Sequence, residues 1–153
     1  IAIPSSGIHS NGFSLVRKLL LEKLDMKFED NFNGKPLIDT LLEPTRIYVK
    51  EFKENKKYIN ALAHITGGGI VENLPRVLPN NLRAVVQKDK VKILPIFELM
   101  GKHVDESEMF RAFNMGVGMI FVVNPSNVDK ILKNTDGYII GDIKSGEKGC
   151  DIV

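Results

Sequence analysis

Apolar and polar positions follow two rhythms along the 153-residue chain. Short, largely apolar runs at residues 1–3, 61–66, 82–87, 116–123 and 138–143 have the length and composition of strands. Between them, apolar residues recur every three or four positions. Phe13, Val16, Leu20 and Leu24 share one face of a helix predicted over residues 12–24, with Leu15 and Leu19 beside it and the N-cap types Ser10 and Asn11 ahead of it. The same spacing predicts helices over 36–42, which Pro44 closes, and over 49–55, 95–102 and 107–114. A short helix follows at 128–133, capped by Ser126, and residues 46–49 read as a further strand. Residues 70–77 carry a helical pattern interrupted by Pro75. Gly118 interrupts the strand at 116–123, which marks a close approach of another backbone or a ligand. Strands and helices largely alternate, without repeats or low-complexity tracts. The expected fold class is α+β, a mixed sheet covered by helices in one domain spanning 1–153.

Composition narrows the function classes. Lys and Arg number 21 against 19 Asp and Glu, a net charge of +2, which gives no reason to expect a nucleic-acid partner. The single cysteine, Cys150, forms no internal disulfide and reads as structural or incidental, in keeping with a cytoplasmic setting. No apolar run approaches the roughly 20 residues of a membrane span, and the first residues lack the basic start and long apolar centre of a signal peptide. A strand at the first residue, with no methionine before it, suggests a piece of a longer protein.

The candidate chemistry lies in two loops of one design. Residues 1–3 run into Ser5, Ser6, Gly7, Ile8, His9, Ser10, Asn11 and Gly12 before a helix; residues 61–66 run into Thr66, Gly67, Gly68 and Gly69 before a helical segment. Glycine lets a main chain approach a ligand closely, and N–H groups at a helix start carry partial positive charge. The pair reads either as an anion site, with phosphate the foremost candidate, or as tight turns that pack strand on helix. Arg17 and Arg76 follow the two loops at helical distance and offer bidentate partners.

Neither a GxxxxGK[ST] loop nor a GxGxxG fingerprint is present. No HxxxH, HExxH or CxxC spacing occurs, so no metal site is assigned. His9, flanked by Ile8 and Ser10 in a polar loop, is expected to contact a ligand, whereas His64 reads as a strand histidine satisfied by hydrogen bonds. Met109, Met115 and Met119 surround Phe110, Phe113 and Phe121 as core. Asn114 and Gly116 mark a helix-to-strand junction.

The segments PSSGIHSNGFSLVRK, LLEPTRIYVK, AHITGGGIVENLPRVLP and FNMGVGM stand in the order found in the aminoimidazole ribonucleotide synthetase family, also called phosphoribosylformylglycinamidine cyclo-ligases. The resemblance runs from Ile1 to the closing GYIIGDIKSGEKG. It is similar to the C-terminal domain of that family, without the N-terminal half. Formylglycinamide ribonucleotide amidotransferase, selenophosphate synthetase and thiamine-monophosphate kinase share the two-domain plan; the HSNG and TRIYVK segments favour the cyclo-ligase.

The resemblance implies a step of purine synthesis in which formylglycinamidine ribonucleotide and ATP give aminoimidazole ribonucleotide, ADP and phosphate. ATP and magnesium would be held mainly by the absent N-terminal domain, which would also build a homodimer; no cofactor is expected for this chain alone, nor activity. Beside that implication, the substrate-binding residues expected are Ser6, Gly7, His9, Ser10, Asn11, Gly12, Thr66, Gly67, Gly68 and Gly69, with Arg46 neutralising charge and Arg17 or Arg76 behind it. No catalytic residue is assigned. The competing reading is a stand-alone sugar-phosphate-binding module, or a subunit working in trans with a separate chain.

Overall fold

The computed structural model describes all 153 residues. In chain order the strands are β1 (Ala2–Pro4), β2 (Asn31–Phe32), β3 (Lys35–Pro36), β4 (Ile59–His64), β5 (Leu82–Val86), β6 (Val117–Val123), β7 (Gly141–Ser145) and β8 (Gly149–Ile152). The helices are α1 (Phe13–Val16), α2 (Leu37–Leu41), α3 (Val49–Asn55), α4 (Gly69–Arg76), α5 (Pro95–Gly101), α6 (Glu106–Ala112) and α7 (Val128–Asn134).

The sequence of β6, VGMIFVV, is apolar at both alternating sets of positions, so it needs cover on both faces. It obtains this at the centre of an antiparallel sheet ordered β1-β6-β4. Ile3 lies opposite Met119 on one side, and His64 opposite Met119 on the other. The pleat then sorts the side chains. Ala2, Ala63 and Ile120, and Val117 beyond the register shift at Ile3–Pro4, face a core shared with Val16, Leu20, Leu74, Phe97, Phe110 and Phe113. Ile1, Ile3, Met119 and Phe121 face a smaller cluster completed by Tyr48 and Ile131 of α7. Each fully buried aromatic or branched side chain contributes roughly 1.5–3 kcal/mol.

A second sheet, ordered β7-β5-β8, is mixed: β7 runs antiparallel to β5 and β8 runs parallel to it. Helix α4 packs against β8, α6 and β4 and so ties the two sheets together. An apolar cleft of about 480 Å³ opens between β6 and the β5–β7 pair, and none of its lining residues belongs to either glycine-rich loop. The α+β class with helices covering a mixed sheet is as the pattern predicts, with an antiparallel sheet, β1-β6-β4, beside the mixed one.

Several elements differ from the sequence reading. The helix after the first loop starts at Phe13, behind Gly12 at φ 74°, and passes after Val16 into a π-helical stretch, Arg17–Lys23. Ser10 and Asn11 do not cap it: Ser10 is itself left-handed at φ 61°, and the Asn11 amide donates to His9 O at 2.7 Å. Residues 46–49 form no strand, because the Arg46 N–H turns toward His9 and the buried Tyr48 becomes the residue before α3. Asn124, not Ser126, accepts the capping bond ahead of α7, from Ser126 N at 3.0 Å. The last apolar run begins its ladder only at Gly141; Tyr138 instead bridges to Ala2. Strand β8 was not expected, since its sequence, GCDI, has too little apolar pattern to read.

Candidate functional site

Three segments converge at one end of β6. The first glycine-rich loop leaves β1, the second leaves β4, and the segment 44–48 crosses beside them. The two loops touch. Asn11 Oδ1 lies 3.2 Å from where a Cβ on Gly67 would stand. Each loop is held from below by a buried asparagine. Asn114 donates to Gly7 O at 2.8 Å and to Ile8 O at 3.4 Å, while its Oδ1 accepts from the Ser5 hydroxyl at 2.9 Å and Gly116 N at 2.8 Å. Asn73 donates to Gly69 O at 2.8 Å and Gly67 O at 3.1 Å, and its Oδ1 accepts from the Thr66 hydroxyl at 3.3 Å.

With their carbonyls held this way, the loops leave donors free. No acceptor within the chain takes the main-chain N–H groups of residues 7–12 or of 66–68. Gly69, at φ 58°, has no room for a side chain: a Cβ there would lie 1.9 Å from Phe110 O. The left-handed residues His9, Ser10 and Gly12 turn the first loop back on itself, and runs of N–H groups in such turns make anion-binding concavities.

His9 is buried, with 4% of its surface exposed. Its Nε2 accepts from Ser6 N at 3.0 Å and from Arg46 N at 3.4 Å, and the Ser6 hydroxyl, 2.9 Å away, also reaches Pro44 O at 2.6 Å. The ring thereby ties the first loop to the segment 44–48. Main-chain N–H groups can only donate, so the network assigns the proton of the neutral ring to Nδ1. That atom is buried without a partner in the chain. Burial first, and the neighbouring His64 second, push the His9 pKa down to about 4.

Tyr48 stands between the two imidazoles, its ring centroid 6.3 Å from His9 and 6.1 Å from His64. It fills the notch that Gly118 leaves in β6, where a Cβ would lie 1.7 Å from the Tyr48 hydroxyl oxygen. That hydroxyl donates to Pro4 O at 3.1 Å, so the close approach expected at Gly118 is by a side chain of the same domain. His64 ends β4 exposed, paired with Met119 through the main chain but with no hydrogen bond to its side chain, in contrast to the satisfied strand histidine expected from sequence.

Arg46 reaches the site but is already bound. Its guanidinium holds both oxygens of Asp136 at 2.7 and 2.9 Å, Glu51 at 2.6 Å and Pro4 O at 3.3 Å, and lies 5.5 Å from the Tyr48 ring centroid. Arg46 in turn holds the Asp136 carboxyl below its ordinary range. A ligand anion meeting Arg46 has to share it with these carboxylates. Arg76 donates to Asn73 Oδ1 at 3.2 Å behind the second loop, whereas Arg17 is exposed on the π-helical stretch. Ser6, Ser10 and Gly67 are exposed; Asn11, Gly12, Thr66 and Gly68 are half-buried; Gly7 and Gly69 are buried.

The chain matches the family model described as AIR synthase related protein, C-terminal domain, over residues 1–150. The chain belongs to this family. Relatives named phosphoribosylformylglycinamidine cyclo-ligase include a protein of Lachnospira eligens, 43% identical over 99% of this chain and 48% of its own length. One of Thermoanaerobacter sp. is 45% identical over 97% of this chain and 47% of its own length. A third, of Streptococcus sanguinis, is 44% identical over 96% of this chain and 45% of its own length. The chain thus spans about half the length of the curated relatives it matches.

In this AIR synthase related C-terminal domain the two loops present main-chain N–H groups that no acceptor of the chain takes. No group of three or more His, Cys, Asp or Glu side chains is placed to hold a metal ion. No helix is long and apolar enough to cross a membrane. Sequence reading missed Tyr48, the buried anchor Asn73 and the loop-holding role of Asn114. Only Gly118, a glycine inside an apolar strand, signalled a close neighbour there.

Proposed function

We propose that this chain is the substrate-side half of an ATP-dependent phosphoribosylformylglycinamidine cyclo-ligase, which converts formylglycinamidine ribonucleotide and ATP to aminoimidazole ribonucleotide, ADP and phosphate. The observation that carries the reading is the meeting of two loops at Asn11 and Gly67, with the N–H groups of residues 7–12 and 66–68 unspent. A phosphorylated ribonucleotide is an elongated acceptor-rich ligand, and two adjoining donor loops suit it. The family match and the names of the relatives support the reaction class.

In this reaction the substrate amide oxygen takes a phosphoryl group from ATP, ADP departs, an internal nitrogen attacks the same carbon, and phosphate leaves as the ring closes. Such transfer is promoted mainly by positioning and by stabilising developing charge. Ser6, Gly7, Ser10, Asn11 and Gly12 would hold the ribonucleotide through main-chain and hydroxyl donors, and Thr66, Gly67, Gly68 and Gly69 would hold its other end. His9 would offer Nδ1–H from beneath the first loop, keeping the 44–48 segment, and with it Arg46, in place. ATP and magnesium would be carried by the other half of the protein, which supplies the phosphoryl donor, and the complete enzyme would be a homodimer.

The test is an assay of this chain alone and of the complete protein containing it, with formylglycinamidine ribonucleotide and ATP, following ADP and ring formation together. The expected result is stoichiometric ADP and aminoimidazole ribonucleotide from the complete protein and neither from the chain alone. A complete protein that leaves the ribonucleotide unchanged would refute the assignment.

A further inference from the structure

We infer that Glu72 is a specificity-determining residue of the second loop, and that it receives the cationic amidine of the ribonucleotide; this deepens the function proposed above and rests on it. Glu72 lies one turn into α4 and its side chain folds back over the glycine loop. A Cβ on Gly68 would stand 2.6 Å from Glu72 Oε2, so the carboxylate occupies the space that a larger residue at position 68 would take. Yet the carboxylate accepts no hydrogen bond from that loop, nor from any other part of the chain. It forms a half-exposed ion pair with Arg76 Nη2 at 3.6 Å, too long for a hydrogen bond, while Arg76 Nη1 donates to Asn73 Oδ1 at 3.2 Å. The side chain of Glu72 is 50% exposed, so its lone pairs are open to a ligand.

This changes the chemistry of the second loop. The free N–H groups of residues 66–68 alone would suit an anion, but a carboxylate directly above Gly68 repels one. A carboxylate beside unspent N–H groups fits a ligand segment that is donor and acceptor at once. An amidinium is planar, cationic and carries N–H groups on both nitrogens, which matches a carboxylate bidentately. The formyl oxygen next to it is an acceptor for the loop N–H groups. The carboxylate beside the first loop, Glu43, packs its Cβ against Gly7 and is paired with Lys35 at 3.2 Å, so the first loop is left for the sugar-phosphate end.

Titration calorimetry decides the point. The chain and its Glu72→Gln variant are each titrated with formylglycinamidine ribonucleotide and with the ribonucleotide that has an amide oxygen in place of the amidine nitrogen. The unsubstituted chain is expected to prefer the amidine by about tenfold or more, a charge-assisted pair being lost with the amide. Glu72→Gln should bring the two affinities within about twofold of each other, because the side-chain volume is kept and only the charge is lost. An unsubstituted chain without preference, or a preference that survives Glu72→Gln, would overturn the role of Glu72 and leave the loops as the substrate site. Binding of neither ribonucleotide would instead strike at the proposed function, and the role of Glu72 would fall with it. Equal urea midpoints for the two proteins separate these outcomes from a loss of fold.

Discussion

His9 shows how one side chain can organise a site without facing solvent. Its Nε2 is committed to main-chain donors of two segments, and protonation would place N⁺–H against N–H. The neutral form is therefore the one the fold selects, and its pKa is pushed down to about 4 from an ordinary 6.5. The sign of the pH effect follows. As pH falls through 6.5 the unfolded chain takes up a proton that the folded chain refuses until about pH 4. Stability is thus level in this group above pH 6.5 and declines toward pH 4. Urea midpoints measured from pH 4 to 8 should show that decline, and His9→Gln should flatten it while lowering stability throughout; an unchanged slope would show that another group carries the acid sensitivity.

At the scale of elements, each glycine-rich loop depends on an amide that lies under it. Asn73→Ala would leave the carbonyls of Gly67 and Gly69 without their donor. A cost of about 1–3 kcal/mol is expected, set by the buried Gly69 carbonyl and not by the exposed Gly67. Amide exchange should speed up at residues 66–70 and stay slow in β6; uniform acceleration would mean that Asn73 supports the whole fold and not the loop. Both loops were legible in the sequence, because glycine and small polar residues punctuate the passage from strand to helix at Ser5–Gly12 and Thr66–Gly69. Strand β6 was legible from its continuous apolar run. The segment 46–49 was not, since Ile47, Tyr48 and Val49 have strand character locally and only the long-range partners His9 and Gly118 turn them into a loop. Strand β8 was hidden because its pairing with β5, and not its composition, makes it a strand. The exposure of His64 was equally out of reach, as it depends on which edge of the sheet β4 occupies.

At the scale of the molecule, the two sheets and α4 form a support that brings loops from distant parts of the chain to one place. β1 and β4 lie on opposite sides of β6, so the loops leaving them flank its start, where Gly118 admits Tyr48 between them. The central claim is that these loops form a single cleft for the ribonucleotide, with ATP held elsewhere. Amide shifts of the purified chain, followed by NMR during separate titrations with formylglycinamidine ribonucleotide and with ATP, test it most directly. The account predicts shifts centred on residues 5–12 and 66–69 with the ribonucleotide and little response to ATP. Shifts in those residues with ATP and none with the ribonucleotide would contradict it.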